Sequence, residues 1–311
     1  MKLLYIAGDN RSGSTLLDML IAGHSRVVTL GEAHQLRAYV RRDTRYYRQT
    51  PGDPAHEMRC YCGSTLDACE FWREVQAALD VPLDSLELKL LINQTELRGM
   101  KHLWRRLLWL SLNAIPSLYE YGPLFRATGG EQVGRDSVRL YEAVARASGA
   151  EYVLDSSKVP HRLYAIAQRI PEDTRLILLC RDFKGTVYSK VKRGIPMLKA
   201  ALQWKWTVRQ MERFSRKLPA EQVLRVRYED ICRDTVSEMQ RICRFLDLPY
   251  EERMVSGERS DLHHLGGSPS KYRGFRDIRL DTGHEAAFSP WHRKVLYALV
   301  RREAAQWGYG A

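Results

Sequence analysis

The longest apolar run in the 311-residue chain covers about half a dozen residues around 176–180, well short of the ~18 a bilayer span requires. The N-terminus also lacks a secretory core. Lys2 leads into only Leu3-Leu4-Tyr5-Ile6-Ala7 before Gly8-Asp9-Asn10-Arg11 interrupts, where an export signal needs roughly 7–15 apolar residues. This segment reads as a buried first strand, and the chain is expected in the cytoplasm. Six cysteines are too few for a disulfide scaffold. Cys180, Cys232 and Cys243 stand singly in apolar surroundings and are expected as small core residues. Glycine (21) and proline (12) are sparse while 44% of residues are apolar, which excludes collagen-like, low-complexity and disordered chains. No internal repeat is present.

What the chain has is positive charge and rhythm. Lys and Arg number 49 against 37 Asp and Glu, a net +12 that implies an anionic partner. Strand-length apolar runs at 3–7, 27–30, 152–155, 175–180 and 223–226 alternate with helical patterns at 14–23, 160–169, 183–192, 199–217 and 235–246. Such alternation predicts an α/β fold with a central, mostly parallel sheet flanked by helices. One domain over 1–311 is expected. Residues 38–150 break the rhythm with helical periodicity, as in Leu103-Trp104, Leu107-Leu108 and Leu112. They read either as a cap over an acceptor site or as helices completing the core. Arg41, Arg42, Arg45, Arg48, Arg105 and Arg106 fall there, as solvated faces or as a surface for an acidic acceptor.

The strongest local signal is Arg11-Ser12-Gly13-Ser14-Thr15, directly after the first strand and opening an amphipathic helix. Free N–H groups at a helix start, beside the positive end of its dipole, form an anion site. Gly13 lets the backbone approach a phosphate, Ser12, Ser14 and Thr15 add hydroxyls, and Arg11 adds a fork of donors. No lysine precedes the Ser/Thr, so the Walker A pattern fails. That counts against the alternative reading, a small-molecule or nucleotide kinase. A second anion signal follows the 175–180 strand. Arg181 lies at its carboxyl end, Ser189 two helical turns on, and Arg193 four residues later on the same face. Both signals fall where α/β sheets bind ligands, and two phosphate sites at one sheet edge suit a nucleotide phosphorylated at both ends of its ribose.

The ordered set Arg11–Thr15, Glu32, Arg181/Ser189/Arg193 and Arg227-Tyr228-Glu229-Asp230 resembles the sulfotransferase superfamily, in the branch holding tyrosylprotein and many bacterial small-molecule and glycan enzymes. The resemblance implies a P-loop-like core, 3′-phosphoadenylyl sulfate (PAPS) as co-substrate, and 3′-phosphoadenosine 5′-phosphate (PAP) as product. It implies the 5′-phosphosulfate loop at Arg11–Thr15, the 3′-phosphate site at Arg181, Ser189 and Arg193, and a cofactor contact at Tyr228. It also implies Glu32 as general base, with His34 a weaker alternative, and Lys158, just past a strand, assisting the leaving phosphate. The late basic loop 263–274 resembles a closing segment, with Ser268 near the transferring group and Ser270, Lys271 and Arg273 toward the 3′-phosphate. The expected acceptor is a hydroxyl on a small molecule or glycan. A nucleic-acid partner is not expected, since the basic residues are not interleaved with aromatics in one compact module; no membrane partner is expected either.

The transfer chemistry needs no metal. His56, Cys60, Cys62 and Cys69 form the one metal-like cluster. Because C-x-C departs from the usual knuckle spacing, thiols packed under Phe71-Trp72 are expected, with structural zinc and a disulfide or redox pair as alternatives. The adjacent His263 and His264 are expected to be solvent-exposed.

Overall fold

A computed structural model describes residues 1–43, 58–91, 103–104, 107–108, 110–112, 115–120, 122–256, 262–268 and 278–310. Its centre is a five-stranded, wholly parallel sheet. The strands are β1 (Lys2–Gly8), β2 (Val27–Gly31), β3 (Tyr152–Lys158), β4 (Thr174–Cys180) and β5 (Val223–Arg227), in spatial order β2-β3-β1-β4-β5. Parallel strands covered on both faces must be apolar on both, and the central β1 and β4 are. Leu3, Tyr5, Ala7, Leu176, Leu178 and Cys180 belong to one core, while Leu4, Ile6, Ile177, Leu179 and Val226 belong to the other.

All five expected strands are present, as are the five expected helices. β3 runs three residues beyond its expected end and places Lys158 at the strand terminus. The helix Phe183–Val191 closes with its C-cap at Lys192, so Arg193 lies just past the helix rather than on its face. The sequence reading missed the C-terminal helix Pro290–Gln306, although Ser289 and Pro290 mark its start: the Ser289 hydroxyl accepts the His292 N–H at 3.3 Å.

The described part of the insertion is helical, with Glu70–Ala77 and Gly130–Ser148 the main pieces. Trp72, Val75, Leu83, Leu140, Tyr141 and Val144 join the core that also holds Leu3 and Tyr5, so this part does complete the sheet's cover. Leu112 is buried, whereas Leu103, Trp104, Leu107 and Leu110 are exposed. Arg41 and Arg42 meet Asp84 and Asp67 in exposed ion pairs; Arg45, Arg48, Arg105, Arg106 and His56 lie outside the described residues.

Candidate functional site

β1 lies between β3 and β4, and the chain crosses it on passing from β3 to β4. The carboxyl ends of these three strands therefore flank one crevice. At its floor the 9–13 loop turns into the helix Ser14–Ile21, with Gly13 at the N-cap (φ 90°) and no acidic residue in the first turn. Gly13 is required twice over. Its φ is left-handed, and a Cβ there would stand 2.2 Å from the Tyr228 ring. Tyr228, first residue of the helix Tyr228–Arg233, thus packs directly against the loop, with the Arg181 guanidinium 4.7 Å from its ring centroid.

The two anion signals meet. Arg11 Nε donates to Ser189 Oγ at 3.0 Å across 178 residues of sequence. Arg11 is held in a left-handed conformation (φ 72°), a strain that recurs at functional positions. Burial, then the charges of Arg193 and Arg181, lower its pKa to about 10. The buried Arg11 guanidinium thus lies within range of the charges of Arg181 and of the exposed Arg193, an arrangement an anion relieves. Ser12 is buried, and its Oγ has no hydrogen-bond partner among the described residues. Ser14 and Thr15 are buried alongside it. A helix-opening loop, an orphaned hydroxyl and Arg11 within range of two further arginine charges fit a polyanionic group.

The sequence did not disclose what fixes this floor. Lys190 Nζ lies 2.6 Å from Asp9 Oδ2, both side chains buried, and so ties the helix Phe183–Val191 to the loop. Trp204 Nε1 donates to the Arg181 carbonyl at 2.9 Å, and Arg181 itself reaches the Asp281 carbonyl at 3.2 Å. The end of β3 is set by Asp155, which accepts from Tyr141 Oη (2.5 Å) and from Arg162, both buried.

At the other side of the crevice, Glu32 follows β2 and forms an ion pair with Lys158, the two side chains being 12% and 10% exposed. Glu32 also accepts from the Gln35 amide. Burial alone would raise the carboxyl's pKa, but the charges of Lys158 and His34 and the Lys158 hydrogen bond outweigh it and bring the pKa to about 2. Lys158 has a left-handed φ of 70°, the second strained non-glycine residue of the site. His34 is half-buried, and desolvation lowers its pKa to about 3, which makes it a weak proton acceptor.

The 262–268 segment closes this side. Leu265 forms a parallel bridge with Gly31: its N–H donates to the Leu30 carbonyl at 3.0 Å, and its carbonyl accepts the Glu32 N–H at 2.8 Å. Further on, the Ser268 N–H donates to Thr15 Oγ1 at 3.0 Å, so the segment touches both Glu32 and the phosphate loop. The expected exposure of the histidine pair is corrected. His264 is fully buried, 3.5 Å from Asp18, because the segment lies along β2 rather than looping into solvent. Ser270, Lys271 and Arg273 lie outside the described residues.

A phosphate-type loop, two arginine-bearing strand ends and a carboxylate–lysine pair on one parallel sheet make an α/β protein whose crevice suits an anion and carries acid–base groups. A model of the Sulfotransferase family matches residues 4–252, and the chain belongs to that family. Its fold is similar to the sulfotransferase domain from the Synechococcus PCC 7002 olefin synthase, with a TM-score of 0.60 and 18% identity over 99% of this chain and 95% of that one. The sulfotransferase domain from the curacin biosynthetic pathway gives 0.57 and 17%, over 99% and 98%. A Caenorhabditis elegans protein provisionally named a protein-tyrosine sulfotransferase is 27% identical over 135 residues, 39% of this chain and 52% of that relative. A Caenorhabditis briggsae protein of the same name is 29% identical over 96 residues, 28% and 34%. The match therefore spans about half the first relative's length and a third of the second's. Among the described residues, no helix is long and apolar enough to cross a membrane.

Proposed function

We propose that the protein transfers a sulfuryl group from PAPS to a hydroxyl of a small molecule or glycan, by in-line displacement. The observation that carries this reading is the Arg11–Ser189 hydrogen bond, which joins the loop suited to a 5′-phosphosulfate to the residues suited to a 3′-phosphate. Arg11–Thr15 hold the first group, Arg181, Ser189 and Arg193 the second, and Tyr228 supports Gly13 and Arg181 between them. Ser270, Lys271 and Arg273 are assigned to the same nucleotide from the motif alone, and Ser268 to the segment beside the transferring group.

The Glu32–Lys158 pair suggests how the proton and the leaving charge are handled. While paired, Glu32 is too acidic to take a hydroxyl proton readily. When Lys158 turns toward the bridging oxygen of the donor, Glu32 loses its main counter-charge, and burial then makes it a stronger base. The acceptor oxygen attacks sulfur, its proton passes to Glu32, and the sulfur–oxygen bond to the phosphate breaks as Lys158 neutralises the departing charge. The reading keeps the cytoplasmic setting expected from the sequence. The name of the nematode relatives places a tyrosine peptide in the acceptor screen beside sugars and small alcohols.

Calorimetry with PAP, followed by transfer from labelled PAPS, tests it. Saturable PAP binding that is lost in Arg11→Ala, together with labelled product from one acceptor class, is the expected result. Binding of ATP in preference to PAP would overturn it.

A further inference from the structure

The cysteine cluster that the sequence left open gains a fourth member from a distant part of the chain. Among the described residues, Cys60, Cys62 and Cys69 meet His263, and their ligand atoms all lie within 4.8 Å of one another. His263 Nδ1 is 3.3 Å from Cys69 Sγ and 3.6 Å from Cys60 Sγ, and Cys62 Sγ is 3.7 Å from Cys69 Sγ. A tetrahedral zinc ion with bonds of about 2.3 Å to sulfur and about 2.0–2.1 Å to nitrogen requires ligand–ligand edges of about 3.5–3.8 Å. These three of the six edges match that tetrahedron within a few tenths of an ångström, and the other three stay within 4.8 Å, so the side chains close in slightly around an ion. The edges do not match a disulfide, whose sulfurs must approach to about 2.05 Å.

The surroundings also suit a closed metal site. Gly63, with φ 88°, turns the chain between Cys62 and Ser64, and the Cys60 N–H closes that turn on the Ser64 carbonyl at 2.9 Å. Cys69 is the N-cap of the helix Glu70–Ala77, which fixes its position at the end of the turn. Phe71 stacks on the His263 ring at 4.5 Å and 8°, fixing its plane. Cys60 and Cys69 are buried while Cys62 opens to the surface, which leaves the ion an entry path.

We propose that Cys60, Cys62, Cys69 and His263 form a structural zinc site that staples the 58–69 turn of the insertion to the 262–268 segment. Three thiolates and one neutral imidazole complete the tetrahedron, with no position open for substrate. Binding releases about three thiol protons. The site anchors the strip in which Leu265 pairs with β2 and Ser268 reaches Thr15, so the metal holds the crevice wall in place without touching the reacting atoms. This assignment stands whether or not the chain transfers sulfate.

Elemental analysis of protein purified under reducing conditions without chelator should give about one zinc per chain. Cys69→Ser and His263→Ala should lower that content, and Cys232→Ser should keep it. The wild-type chain, stripped with chelator and titrated with Co²⁺, should develop the visible bands of a tetrahedral thiolate site at one equivalent, a readout independent of how the variants fold. Hydrogen exchange at the Leu265, Gly266 and Ser268 amides should accelerate on chelation while β1 and β4 stay protected. Trace metal only, no cobalt bands in the reduced chain, or a Cys62–Cys69 disulfide in the purified protein would each overturn the site.

Discussion

Replacing Glu32 by glutamine separates what this carboxylate does for the fold from what it does for the chemistry. Its pKa falls from 4.5 to about 2 in the folded chain, which corresponds to about 3 kcal/mol of stability. A carboxyl depressed on folding contributes in full above its unfolded pKa and loses that contribution as pH falls through its folded pKa. The wild-type protein should therefore shed about 3 kcal/mol between roughly pH 5 and pH 2 through this group alone. Glu32→Gln should be less stable at neutral pH by up to that amount, since Lys158 loses its partner, and should lack that acid-dependent component. Urea unfolding of both proteins at a series of pH values reads the difference. In parallel, the variant should bind PAP like wild type yet lose about 10²–10⁴-fold in transfer rate. Parallel stability curves down to pH 2 would refute the ion-pair argument, and full turnover would remove Glu32 as the base.

Other perturbations reach different parts of the site. Arg181→Ala should weaken PAP binding by about 1.5–3 kcal/mol, roughly 10- to 150-fold by calorimetry, and unchanged affinity would remove Arg181 from the nucleotide site. Gly13→Ala forces a Cβ into the Tyr228 ring at a left-handed φ, so thermal melting should drop by several degrees and PAP binding should fail; a wild-type melt would contradict the packing. Lys190→Met leaves Asp9 buried without its counter-charge, at a cost of about 3–5 kcal/mol in chemical denaturation. Lys158→Ala should raise the Glu32 pKa and slow transfer, moving the acid limb of the rate–pH profile upward; an unmoved limb would dissociate the two residues.

The loop side of the crevice was legible because its signals are local. An apolar strand followed at once by Arg11–Thr15, and another followed by Arg181 and Ser189, place both sets at strand ends without knowledge of the third dimension. Glu32 and Lys158 were each visible for the same reason. Their pairing was not, since 126 residues separate them and β2 meets β3 only through the sheet order. Lys190 with Asp9 escaped notice likewise, as two ordinary charges 181 positions apart. The clearest failure was His263. Spacing arguments look for a ligand near the cysteines, and they pass over an imidazole that meets the cluster from 194 residues beyond Cys69.

The peptide linkage around Leu265 grips the backbone at both Leu30 and Glu32, clamping the residue from which the long 33–150 excursion departs. That excursion begins beside a fastened anchor and returns to β3, the neighbouring strand. The carboxylate at its root is thus held from the sheet side, by β2 and Leu265. For anyone wishing to reshape this scaffold, the sensible graft points lie beyond that clamp, and the sheet itself is best left alone.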